Sequence, residues 1–112
     1  MAELEQLREI IETYGRHGWQ LRRVLMSAET HASLAGRDVG QLLAGADARD
    51  GEIDALWFAR ASHGGREAWE LRLVAPTPYA LFETFEPDET EEEREDVRRE
   101  MEARLRDYAS SA

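Results

Sequence analysis

Cysteine, lysine and asparagine are missing from the 112-residue chain. Without cysteine there is no disulfide, zinc–thiolate centre, iron–sulfur cluster or thiol nucleophile. Without lysine there is no Schiff-base chemistry, no pyridoxal-phosphate attachment and no phosphate loop of the usual lysine-bearing kind. All 14 basic residues are arginine. The joint loss of Lys and Asn points to GC-rich coding, which weakens any special meaning of arginine as such. Long hydrophobic runs are missing too: no stretch approaches the roughly 18 apolar residues that cross a bilayer. The segment from Met1 to Ile11 is acidic and amphipathic, unlike a secretory signal, so the cytoplasm is the expected location.

Motifs of catalysis are equally scarce. His17, His31 and His63 stand at no metal-ligand spacing, and the acids of residues 86–96 lack the calcium-loop pattern, so neither a metal nor a cofactor is expected. Ser62 and His63 are adjacent, but no nucleophile elbow surrounds them. No motif carries a family resemblance.

What is present is an acidic, charged chain of one domain's length, residues 1–112. Its net charge is −10, with much of the acid between Glu83 and Glu102. Such a surface repels nucleic-acid phosphate and anionic lipid, which leaves solubility or a basic protein partner as its use.

Leu4, Leu7, Ile11 and Tyr14, with Ile10 beside them, predict an amphipathic helix over 2–14 ended by Gly15. Residues 19–26 alternate as a strand, with Arg23 interrupting its apolar side. Between 27 and 50 the signals are short: Ser27 caps a helix over 28–35, Asp38 caps another over 39–44, and residues 46–51 form a polar turn. Residues 52–61 and 67–75 form a hairpin about Gly64-Gly65. A turn centred on that pair sets Arg60 against Trp69, Phe58 against Leu71 and Leu56 against Leu73. Prolines 76 and 78 turn the chain into a further strand over 79–85. A helix over 88–109 follows, with an Asp88/Glu91 capping box, the i,i+4 pairs Glu95–Arg99, Glu100–Arg104 and Glu102–Arg106, and a stripe of Val97, Met101, Leu105 and Tyr108. Residues 110–112 are expected to fray. The architecture is α+β: a four-stranded antiparallel sheet, in the order helix, strand, short helices, three-strand meander, long helix, with helices packed on it.

The hairpin's second face carries Trp57 opposite Arg72, joined by Tyr79 and Leu81. A helix, a second copy of the chain, or a ligand or foreign protein could cover it. Trp57, Arg72, Tyr79 and Leu81 are the candidate partner-binding residues. Arg60, Glu70 and Glu83, with Arg72, are the candidate ligand cleft, Glu70 and Glu83 facing each other as paired carboxylates. These patterns favour a non-enzymatic interaction or structural domain that self-associates as a homodimer. The alternatives are a small-molecule site or minor enzyme in the Arg/Glu cleft, and a chaperone-like binder of a basic client through the acidic helix.

Overall fold

The computed structural model describes residues 3–37, 39–43 and 45–111. Among them are the helices α1 (Leu4–Arg16), α2 (Ala28–Leu34) and α3 (Glu91–Ser111). The strands are β1 (Gln20–Met26), β2 (Asp47–Asp50), β3 (Ala55–Ala61), β4 (Glu67–Leu73) and β5 (Tyr79–Phe85). They form one mixed sheet in the order β2-β1-β3-β4-β5. The α+β class therefore holds, while the sheet has five strands rather than four and is not wholly antiparallel. The extra strand is β2, in the stretch expected to be a polar turn, and it lies parallel to β1. Its sequence, Asp-Ala-Arg-Asp, has no apolar side because every residue in it is exposed. A parallel pair needs a crossover, which α2 and the turns after it supply.

Helix α1 passes Gly15 and closes on Gly18. Trp19 N–H donates to Tyr14 C=O (3.1 Å) and Gly18 N–H to Gly15 C=O (3.1 Å), the paired bonds of a Schellman motif, with Gly18 at φ +84° in the left-handed position. Tyr14 and Trp19, the two ends of that motif, meet edge to face at 6.2 Å. Ser27 caps α2 as expected, its hydroxyl accepting from Thr30 N–H at 3.3 Å. Asp54, just before β3, receives Ser27 N–H (2.9 Å) and the Thr30 hydroxyl (2.6 Å), fastening α2 to the sheet. Residues 39–43 form turns, and Asp38 and Ala44, the expected limits of a second short helix, lie outside the described residues.

In β1 a bulge between Leu21 and Arg23 removes the apparent break in the apolar pattern. The extra residue, Arg22, lets Leu21 and Val24 share one face while Arg23 and Leu25 share the other.

The β3–β4 hairpin has a related irregularity, with larger consequences. Gly64 (φ +67°) and Gly65 (φ +78°) sit at the centre of the turn, which Arg66 N–H closes on His63 C=O at 3.2 Å. The next rung joins Ser62 N–H, rather than His63 N–H, to Arg66 C=O at 2.8 Å. One more residue is thereby used on the β3 side. The register becomes Trp57–Leu71, Phe58–Glu70 and Ala59–Trp69 in place of Phe58–Leu71 and Arg60–Trp69. Phe58 and Leu71 end on opposite faces, since a one-residue slip inverts every side chain.

Two cores result, one on each face of the sheet. Leu7 and Ile10 of α1 pack with Val24, Met26, Leu56 and Phe58. Met101 and Leu105 of α3 pack with Trp57, Trp69, Leu71 and Phe85. Thus a helix covers each face of the hairpin, the first of the three covers considered for it. Among the described residues no helix is long and apolar enough to cross a membrane.

Helix α3 starts three residues later than expected. Its capping box is Thr90/Glu93, with Glu93 N–H on the Thr90 hydroxyl (3.1 Å) and Thr90 N–H on the Glu93 carboxylate (2.8 Å). The helix holds to Ser111, beyond the expected onset of fraying, and Ala112 lies outside the described residues. The ion pairs along it are Glu91–Arg98, Glu95–Arg98 and Asp96–Arg99 rather than the three i,i+4 pairs. Glu95 and Glu102 turn to tertiary partners instead, Arg23 and the Trp57 indole.

Candidate functional site

The four candidate partner residues do not make one surface. Trp57, Tyr79 and Leu81 share the α3 face, and Arg72 is on the α1 face. Trp57 is fully buried and its indole N–H donates to Glu102 at 2.8 Å. The Tyr79 ring stacks on Tyr108 at 3.7 Å, and Leu81 is half-buried against the same core. The expected Trp57–Arg72 contact is replaced by Trp57–Leu71, a consequence of the extra residue at the hairpin turn.

The candidate cleft is divided in the same way. Arg60, Glu70 and Arg72 share the α1 face, but Glu83 pairs with Trp69 on the other, so the two carboxylates do not face each other. Arg60 lies over the Trp19 ring at 4.5 Å and donates to His17 C=O. Glu70 accepts a hydrogen bond from the Tyr14 hydroxyl. Burial, and then the bond and charge of Glu70, push the Tyr14 phenol above its ordinary range. Tyr14 also stacks on Phe58 at 4.1 Å, which identifies its main role as packing α1 onto the sheet. An open cleft of about 330 Å³ lies beside it, bounded by Glu9, Thr13, Tyr14 and Arg72.

A second polar cleft, of about 370 Å³, is lined by Arg22, Arg23, Arg94 and Arg98 around Trp69. Sequence reasoning did not find it, because its parts come from β1, β4 and α3. Arg98 is 2% exposed, sits 4.0 Å from the Trp69 ring centre and pairs with Glu91 and Glu95. Glu95 also binds Arg23 at 2.7 Å. Burial pushes the Glu95 carboxyl up, but the hydrogen bonds and charges of Arg23 and Arg98 outweigh it and hold it at about 2. Arg94 is tied to Glu67 (2.9 Å) and to Glu86 C=O (2.7 Å). Carboxylates thus neutralise the buried guanidiniums, and the network acts as a clasp between α3 and the sheet. Among the described residues no group of three or more His, Asp and Glu is placed to hold a metal ion.

The remaining feature is the contrast between the sheet's two edges. At one edge β2 is four residues long and carries Asp47, Arg49 and Asp50. Short, charged edges of this kind discourage pairing with another chain. At the other edge β5 is seven residues long, Tyr-Ala-Leu-Phe-Glu-Thr-Phe, with neither proline nor a basic residue in it. It pairs with β4 through all seven residues without a bulge. Phe82 at its middle is 58% exposed, the one exposed large hydrophobic side chain among the described residues.

Hydrogen bonding shows which backbone groups β5 leaves open. Val74 N–H to Asp54 C=O (2.9 Å) and Ser62 N–H to Arg66 C=O (2.8 Å) place the even-numbered groups of the hairpin between β3 and β4. By strand alternation the odd-numbered groups of β4 then serve β5. In β5 the odd residues are their partners, so the N–H and C=O of Ala80, Phe82 and Thr84 point away from the sheet. Thr84 N–H agrees with this: the Glu83 carboxylate takes it at 3.1 Å. The chain has no significant match among protein-family models, curated proteins or solved structures.

Proposed function

We propose that this protein is a non-enzymatic interaction domain that self-associates through the open edge of β5. The observation that supports the reading is the difference between the edges: β2 is short and charged, whereas β5 is long, regular and apolar. An edge strand of the second kind is a template for another strand. Tyr79 and Leu81 keep the partner role expected for them, now as part of an edge, while Trp57 and Arg72 leave it. The reading carries the cytoplasmic location with it. The cleft alternative draws less support, since Glu83 is parted from Arg60, Glu70 and Arg72, and the acids of the 91–98 segment that a basic client would need are partly engaged by Arg23 and Arg98.

Sedimentation at micromolar concentration tests it. The wild-type chain is expected to sediment as a dimer. Phe82→Lys places a charge on the exposed edge and is expected to give a folded monomer. A wild-type chain that remains monomeric into the hundred-micromolar range would refute self-association.

A further inference from the structure

Strand β5 is nearly palindromic by residue class. Read in either direction it runs aromatic, small, variable, Phe, variable, small, aromatic: Tyr79, Ala80, Leu81, Phe82, Glu83, Thr84, Phe85. Its outward backbone groups, at 80, 82 and 84, are symmetric about the same residue. A two-fold axis requires a surface to be complementary to itself, and this strand satisfies that requirement about Phe82.

We infer, resting on the self-association proposed above, that two copies join β5 to β5 antiparallel about a two-fold axis at Phe82, with Ala80 opposite Thr84 of the second copy. In this register Phe82 exchanges both backbone bonds with its own counterpart. Ala80 and Thr84 do the same across the axis, so each outward donor and acceptor of the three residues finds a partner. Tyr79 comes opposite Phe85, aromatic against aromatic, and Leu81 opposite Glu83. Glu83 is the only charged residue in β5, and this register keeps the two Glu83 side chains from directly opposing one another, which would destabilise the pair. A shift of two residues along the strand leaves one end of each outward set unpaired. A shift by a single residue sets outward groups against inward ones. The two Phe82 rings, each more than half exposed in the single chain, meet at the axis. Glu83 opposes the pairing, because its carboxylate occupies Thr84 N–H and must release it before the second strand can dock.

The absence of cysteine makes the register measurable with single-cysteine variants. Directly opposed residues of a hydrogen-bonded antiparallel pair stand about 5.5 Å apart at Cα, within disulfide reach. Under mild oxidation Phe82→Cys is expected to link to itself. Ala80→Cys and Thr84→Cys, which retain Phe82, are expected to stay unlinked when alone and to link when mixed. Glu83→Ala is expected to tighten the dimer by a factor of about 5, through release of Thr84 N–H. A dimer by sedimentation in which Ala80→Cys or Thr84→Cys links to itself, or the mixture fails to link, overturns the register and leaves self-association standing. A monomer at every concentration overturns both.

Discussion

Arg98 shows how strongly a single side chain can depend on its surroundings. From position alone it is one of several arginines on an acidic helix. In the fold it is 2% exposed, lies against the Trp69 ring, and bridges Glu91 and Glu95. Arg98→Ala removes a buried side chain packed on the Trp69 and Phe85 rings and leaves a void there, so it is expected to cost about 3 kcal/mol in a urea titration. Glu95, its neighbour in the clasp, is expected to make the fold acid-sensitive. Its carboxyl is lowered from 4.5 to about 2. A depressed carboxylate stabilises the fold fully above its unfolded value and loses that contribution as pH falls through its folded value. The urea midpoint is therefore expected to drop between about pH 4.5 and pH 2. Glu95→Gln should start lower at pH 7 and show a flatter fall through that window. An equally steep fall in the variant would place the acid sensitivity elsewhere.

Elements were legible where their signals were local. The apolar stripes of α1 and α3, the Ser27 cap and the double-glycine turn all depend on residues within a few positions of one another. The errors at element ends arose where neighbouring signals compete. Asp88/Glu91 and Thr90/Glu93 both fit a capping box, and the chain uses the second. Thr90→Ala is accordingly expected to cost about 1 kcal/mol in thermal or urea unfolding, and Asp88→Ala much less. Equal losses would restore Asp88 as the cap. Helix α1, expected to end at Gly15, instead closes on Gly18, where the Trp19–Tyr14 bond and ring contact complete the Schellman motif. β2 could not be found by periodicity at all: a wholly exposed edge strand has no buried side to impose alternation.

At the scale of the molecule, the sheet is held between α1 and α3, and among the described residues its one long unprotected margin is β5. If β5 pairs with a second chain, folding and association are linked, and the thermal midpoint must rise with protein concentration. A rise across a roughly hundredfold concentration range is expected for the wild type and is expected to vanish in Phe82→Lys. A midpoint independent of concentration in both would argue against the open edge as an interface. The candidate site was only half legible for a related reason. The strand composition of β5 stands in the sequence, but its place at an edge, which leaves Ala80, Phe82 and Thr84 facing outward, follows from the order of strands in space.

The sequence by itself determined the α+β class, the long helices and the hairpin, because periodicity and turn residues act over short distances. Tertiary structure alone decided which face each hairpin residue occupies, the fifth strand, the Arg98 clasp and the identity of the free edge. The reason is geometric. One additional residue at the Ser62–Arg66 turn inverts a whole register, and ion pairs and strand neighbours join residues that the chain itself keeps far apart.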